Sequence, residues 1–227
     1  MIWGILQFPG SCDERDALHA CGLAGEARLV WHEEHDLGAV DAVVVPGGFS
    51  YGDYLRAGAI ARFSPAMEAV AEFAAAGGPV LGICNGFQVL CEAGLLPGAL
   101  LRNEDLRFVC RQVDLVAEQP ADGPKSDHIV DLSAHRPGER LSIPVKHGEG
   151  RYWAPDDVLD TIEADGQVAY RYAPGQNPNG SARDIAGVRN EAGNVVGLMP
   201  HPEHAVDPLT GSTDGLRVFE AMGRVAV

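Results

Sequence analysis

The chain has 227 residues, of which 46% are hydrophobic, and a formal net charge of −15 at pH 7. This negative charge argues against nucleic acid or an anionic membrane surface as a partner, and no run of about 18 apolar residues could cross a bilayer. Five cysteines without a C-x-x-C pair favour neither a disulfide framework nor a structural zinc site. We expect one cytoplasmic α/β domain covering residues 1–227.

Short apolar runs alternate with helical stretches along the first hundred residues. Ser64 and Pro65 are typical of a helix N-terminus, and the glycines at 22, 25 and 77–78 predict helix ends. Strands that alternate with helices indicate βαβ units, so we predict a mostly parallel central sheet flanked by helices. The predicted strands are 2–8, 27–31, 42–45 and 79–83, and the predicted helices are 13–21, 65–76 and 85–93.

The region after residue 100 has a different pattern. Strands are predicted at 108–116 and 141–145, and turn residues predict loops at 120–125 and 177–181. We expect antiparallel strands in this C-terminal half, which returns to the main sheet with strands at 185–189 and 195–199. Function is expected at the carboxyl ends of the parallel strands.

Cys84 stands between a predicted strand and a predicted helix, with Gly82 and Gly86 two residues to either side. This is the cysteine version of the G-x-S-x-G nucleophile elbow, a sharp turn that exposes its central side chain and leaves no room for bulky neighbours. The N-terminus of the following helix favours the reactive thiolate. A buried structural cysteine is the alternative interpretation.

A thiolate that attacks a carbonyl needs N–H donors for the oxyanion. Gly47 and Gly48 end a core strand, so their N–H groups could reach the same edge of the sheet, and the N–H of Asn85 follows the nucleophile directly. A strand-to-loop turn without catalytic function would also contain Gly-Gly.

His201 follows the last predicted strand, and Glu203 comes two residues later. Residues i and i+2 of an extended chain face the same side, and the prolines at 200 and 202 favour an extended chain. Glu203 could then orient His201, which would activate Cys84 and later protonate the leaving ammonia. A lone histidine would more often be structural, but here it accompanies a cysteine elbow.

These motifs resemble the class I (triad) glutamine amidotransferases, and more closely the glutaminase subunits of phosphoribosylformylglycinamidine synthase in purine biosynthesis. The resemblance covers nearly the whole chain. Two departures are that Ser11 runs directly into Cys12 without an intervening asparagine, and that His204 replaces the usual arginine. The motifs that carry the resemblance are residues 8–13, 46–62, 82–88, 147–152, 177–181 and 199–203.

The resemblance implies a flavodoxin-like α/β fold and release of ammonia from glutamine through a thioester on Cys84. It also implies a large synthetase subunit, which would hold ATP and magnesium, and a small accessory subunit. Gln88, one helical turn after Cys84, would contact the substrate. The alternatives are a glutaminase subunit of another synthase, a catalytically silent glutamine-binding relative, and a cysteine hydrolase or protease-like relative on a similar fold.

Other polar residues have weaker signals. The histidines at 32 and 35 could suggest a metal site, but a solvated loop is favoured and we expect no metal or cofactor in this chain. Cys110 is interpreted as a core residue, and His147 is expected in a loop at the glutamine pocket or at a partner surface.

Overall fold

The computed structural model describes residues 1–118 and 140–223, so the loop predicted at 120–125 lies outside the described residues. Among the described helices, none is long and apolar enough to cross a membrane. The α-helices are α1 (Glu14–Ala24), α2 (Pro65–Ala75), α3 (Asn85–Glu92), α4 (Asp156–Ala164) and α5 (Leu216–Gly223). The strands are β1 (Ile2–Gln7), β2 (Glu26–Trp31), β3 (Ala42–Val45), β4 (Val80–Ile83), β5 (Ala99–Leu101), β6 (Val109–Ala117), β7 (Arg140–His147), β8 (Arg151–Trp153), β9 (Val168–Tyr172), β10 (Ile185–Arg189) and β11 (Val195–Leu198).

Nine of these strands form one sheet in the order β2-β1-β3-β4-β11-β10-β9-β6-β7. The first five strands are mutually parallel and have the flavodoxin-like order. The other four continue the sheet with antiparallel pairing. The predicted fold class, including the antiparallel C-terminal strands, is therefore confirmed.

Several predicted boundaries need correction. Helix α1 continues through Gly22 and ends before Gly25, because a glycine with open space beside it is tolerated inside a helix. Ser64 occupies the N-cap position of α2, yet its side chain makes no capping hydrogen bond. The sequence patterns missed α4, α5, β9 and the separate two-stranded sheet β5–β8.

The core covers the parallel half of the sheet and extends onto the antiparallel strands. Every residue of β3 and β4 is buried, which is typical of central parallel strands covered by helices on both sides. Because β3 and β4 pair in parallel, their carboxyl ends lie beside each other. Gly47 follows the end of β3, and Cys84 follows the end of β4.

The antiparallel half curls back over that edge. Five strand spacings separate β4 from β7, or about 24 Å in a flat sheet. However, the Cys84 Sγ lies 4.0 Å from the carbonyl oxygen of Lys146 on β7. The carbonyl oxygen of Pro144, also on β7, accepts a hydrogen bond of 2.8 Å from the His201 N–H. The edge strand of the sheet therefore forms one wall of the region around Cys84.

Candidate active site

Cys84 occupies a strained turn between β4 and α3, with φ 51° and ψ −104°. A Cβ at Gly82 would lie 2.5 Å from the Leu90 Cδ1, and one at Gly86 would overlap the carbonyl oxygen of Val45. Both glycines are therefore required by close packing of the turn against β3 and α3. The geometry is that of the predicted elbow, with the cysteine at its apex.

His201 lies three residues after the end of β11 at Leu198, and its ring is buried beside Glu203. The His201 Nδ1 lies 2.6 Å from the Glu203 Oε1. Residues 202–204 form a 3₁₀ turn, so the extended chain expected there is wrong, but the turn still brings the two side chains together. Glu203 can thus hold the tautomer and orientation of the ring.

The charges around His201 favour its protonated form. Burial opposes that charge, but the Glu203 carboxylate and the neighbouring Cys84 sulfur raise the pKa of His201 to about 10. With Nδ1 engaged by Glu203, Nε2 is the ring nitrogen left to interact with the Cys84 sulfur. This nitrogen is available to exchange a proton with the sulfur or with a leaving group.

Two backbone N–H groups near Cys84 are free to donate hydrogen bonds to an oxyanion. Neither the Gly48 N–H nor the Asn85 N–H donates to a group in the described chain. The two glycines predicted for this role differ. Gly48 lines the cavity at Cys84, whereas a Cβ at Gly47 would meet Asp13 and lie 2.8 Å from the His201 Cε1.

Cys84 opens into a cavity of about 260 Å³. Parallel and antiparallel halves of the sheet both contribute to it, because β7 and the loop after it cover the carboxyl ends of β3 and β4. The other lining residues are Cys12, Asp13, Gly48, Phe49, Asp53, Gln88, Phe108, Lys146, His147, Gly148, Glu149 and His201.

Gln88 lines the cavity, but its amide is engaged within the protein. Its Oε1 accepts from the Asn85 Nδ2 at 2.9 Å, and its Nε2 donates to the Glu149 carbonyl oxygen at 2.5 Å. The Asn85 Oδ1 in turn accepts from the Ser50 N–H at 3.0 Å. These two side chains therefore tie α3 to both loops that border the cavity.

Asp13, which sequence reasoning did not identify as functional, lies beside His201 and is contacted by Lys146 and His204. The Asp13 Oδ1 lies 2.5 Å from the Lys146 Nζ and 3.2 Å from the His204 Nε2, and its Oδ2 lies 3.7 Å from the His201 Nδ1. Asp13 is 133 residues from Lys146 and 191 from His204, so no local pattern could have linked them. The only signal was that Asp13 and His204 fall in or beside motifs of the resemblance.

The Asp13 carboxylate also belongs to a group of side chains that could bind a metal ion. Asp13, His201, Glu203 and His204 are the one group of side chains in the described chain with ligand atoms close enough to share an ion. Lys146 already places its ammonium against Asp13 and supplies positive charge there.

His147 is buried in the cavity wall. Burial and the charge of His201 lower the pKa of His147 to about 4, and its Nδ1 lies 3.1 Å from the Asn103 Oδ1. His147 is therefore neutral and structural at physiological pH. Cys110 is exposed on β6, so its assignment to the core is wrong; it belongs to the first half of that strand, where residues 110–112 are all exposed.

Comparison with known proteins identifies the family to which this chain belongs. The CobB/CobQ-like glutamine amidotransferase domain matches residues 3–217. The phosphoribosylformylglycinamidine synthase subunit PurQ of Streptomyces avermitilis is 56% identical over 96% of this chain and 95% of its own length. The subunit of the same name from Salinibacter ruber is 55% identical, over 97% and 94%.

Solved structures agree with this assignment. A chain in the structure of PurLQS from Thermotoga maritima is 42% identical, with a TM-score of 0.86 over 97% of this chain and 96% of that one. A glutamine amidotransferase from the same organism shares the fold, with 16% identity and a TM-score of 0.53 over 89% of this chain and 76% of that one. The chain therefore belongs to the CobB/CobQ-like glutamine amidotransferase family, among the PurQ subunits.

Proposed function

We propose that this chain is the glutaminase subunit of phosphoribosylformylglycinamidine synthase. It hydrolyses glutamine to glutamate and ammonia, and a synthetase subunit uses the ammonia and ATP to convert formylglycinamide ribonucleotide to formylglycinamidine ribonucleotide. The observation that carries the proposal is that Cys84 and the His201–Glu203 pair meet at one cavity, in a chain whose close relatives are named as this subunit.

The first chemical step follows from the geometry. The Cys84 thiolate attacks the carboxamide carbon of glutamine, and the carbonyl oxygen becomes an oxyanion that the Gly48 and Asn85 N–H groups can bind. The His201 imidazolium donates its Nε2 proton to the nitrogen as the C–N bond breaks. Ammonia leaves, and a γ-glutamyl thioester on Cys84 remains.

The second step restores the enzyme. Neutral His201 accepts a proton from water as the water oxygen attacks the thioester carbon, and the C–S bond breaks to release glutamate and the thiolate. Glu203 keeps the ring oriented through both steps by its bond of 2.6 Å to Nδ1. Asn85, Gln88 and Gly47 support this geometry through packing and hydrogen bonds at the cavity.

The assembly is proposed from the relatives. The Thermotoga maritima structure is of PurLQS, so we propose that this chain assembles in the cytoplasm with two partners, a large synthetase subunit together with a small accessory subunit. We place ATP and magnesium on the synthetase subunit, and we propose that residues 1–227 act as a single domain without a cofactor of their own.

The test uses Cys84→Ser in the assembled complex. Because this variant removes only the nucleophile, we expect product formation from glutamine to be lost and product formation from free ammonia to persist. Glutamate release and formylglycinamidine ribonucleotide formation are measured with each nitrogen source. Loss of both activities would contradict the proposal, because Cys84 would then be structural.

Glutamine hydrolysis by the unmodified chain tests the two alternative functions, a glutaminase subunit of another synthase and a catalytically silent relative. Glutamine hydrolysis stimulated by the synthetase subunit with its ribonucleotide bound is the expected result. Stimulation by a different synthase instead would identify another ammonia-dependent pathway, and the lack of turnover in any complex would identify a silent relative.

A further inference from the structure

Asp13 stands where an aspartate ordinarily caps a helix. It is the N-cap residue of α1, yet its side chain makes no hydrogen bond to that helix. Its Oδ1 bonds Lys146 and His204 instead, and its Oδ2 faces His201. The Asp13 carboxylate therefore contacts residues of the candidate active site and does not cap its own helix.

The contacts of Asp13 keep it charged although it is buried. An unpaired carboxylate in such a place would be costly. Burial raises its pKa, but the hydrogen bond from His204 and the charges of His201 and Lys146 outweigh burial and hold the pKa of Asp13 well below its usual range. Asp13 is thus an anion at neutral pH.

The imidazole of His201 consequently has two carboxylates beside one nitrogen. Its Nδ1 lies 2.6 Å from the Glu203 Oε1 and 3.7 Å from the Asp13 Oδ2. Gly47 makes this approach possible, because a Cβ there would meet both Asp13 and the His201 ring. The titratable groups around the ring are Glu203 and His204 on its own turn, Asp13 on the first loop, Cys84 before α3, and Lys146 and His147 on β7.

We propose that Asp13, held in place by Lys146 and His204, is a positioning residue that acts through His201. It acts on the Nδ1 side of the ring and, together with Glu203, favours the protonated ring, which donates its Nε2 proton to the leaving nitrogen of glutamine. The catalytic part of this inference rests on the proposed glutaminase function, whereas the effect on the charge of His201 does not.

The first experiment measures the titration of His201 by NMR in the free chain with labelled histidine, assigned with His201→Gln. Asp13→Asn keeps the shape and removes a charge 3.7 Å from the His201 Nδ1, so the His201 midpoint is expected to fall by about 1 pH unit. This is the low end of the effect of a nearby opposite charge, because Glu203 and Cys84 have the larger influence on the pKa of His201. Asp13→Glu is expected to restore part of the fall. Glu191→Gln, which removes one exposed charge from a turn between β10 and β11, is the matched control and should leave the midpoint unchanged.

A second variant separates charge from general disruption. Lys146→Gln removes a cation from the same cluster, so His201 should stay protonated at least as far into the alkaline range as in the unmodified chain. If Asp13→Asn and Lys146→Gln both lower the midpoint, or if Asp13→Asn leaves it unchanged, the inference is wrong. If Asp13→Asn does not fold, Asp13→Ser, which is also uncharged and is smaller, decides the question, and an unchanged His201 midpoint in that variant refutes the inference.

The second experiment measures glutamine hydrolysis in the complex with the synthetase subunit. The alkaline limb of the pH profile of kcat/KM should move to lower pH in Asp13→Asn, and kcat on that limb should fall about tenfold for each unit of the shift. KM for glutamine should change less than kcat. A lack of hydrolysis by the unmodified complex would refute the proposed function and leave the NMR result to decide the role of Asp13.

Discussion

Cys84 stores backbone strain that a substitution can release. Its φ of 51° and ψ of −104° lie outside the regions that ordinary residues populate, and such a conformation costs a non-glycine residue on the order of 1–3 kcal/mol. We therefore expect Cys84→Gly to be at least as stable as Cys84→Ala. Both variants lose the same buried thiol, so the difference between them isolates the backbone.

The magnitude follows from two opposing effects. Glycine relieves the strain but loses roughly 0.5–1 kcal/mol more conformational entropy on folding than alanine. The net expectation is that Cys84→Gly exceeds Cys84→Ala in free energy of unfolding by about 0 to 2.5 kcal/mol. For a chain of this size, each 1 kcal/mol corresponds to about 2–4 °C in Tm.

The assay is urea unfolding followed by circular dichroism. Ala71→Gly in the middle of α2 provides the comparison, since an ordinary helical alanine should lose about 0.5–1 kcal/mol on replacement by glycine. If glycine at position 84 is less stable than alanine by the same amount as at position 71, the turn holds no strain. Neither variant at 84 should hydrolyse glutamine.

Two further predictions concern the glycine beside the nucleophile and the acid behind the histidine. Gly86→Ala should lower the free energy of unfolding by about 1–3 kcal/mol and reduce activity, because its Cβ would overlap the Val45 carbonyl oxygen. Gly22→Ala, with open space around it, should instead stabilise α1 by about 0.5–1 kcal/mol in the same urea assay, and equal effects at both positions would refute the packing argument. The pKa of His201 is raised from 6.5 to about 10, so its contribution to stability is complete below pH 6.5 and is lost as the pH rises through about 10. Glu203→Gln should lower that pKa and flatten the decline in stability between pH 7 and 9, where the unmodified chain should lose up to about 1.4 kcal/mol per pH unit from this group. An unchanged slope would show that Glu203 does not hold the charge of His201.

Sequence patterns located the nucleophile turn because its requirements are local. Gly82 and Gly86 must be small for reasons of geometry within one strand–turn–helix unit. The His201–Glu203 pair is equally local, two residues apart, so it could be found although the chain between them forms a 3₁₀ turn instead of an extended segment.

The contacts of Asp13 could not be found in this way. They depend on β7 curling back over the parallel half of the sheet, which no periodicity encodes. The sequence also suggested that the Gln88 amide awaits substrate, whereas partners supplied by Asn85 and by the distant Glu149 engage both of its ends. A sequence motif identifies residues that are close along the chain, but it does not predict the contacts that remote segments add to the site.

The bond between the Pro144 carbonyl oxygen and the His201 N–H has a consequence for solubility. β7 lies at the rim of the nine-stranded sheet, where unpaired backbone groups invite another chain to add a strand. A proline there removes one donor, and the segment that carries His201 occupies the matching acceptor. The segment around His201 thereby shields the edge of the sheet against self-association, so substitutions that displace this segment are expected to promote aggregation.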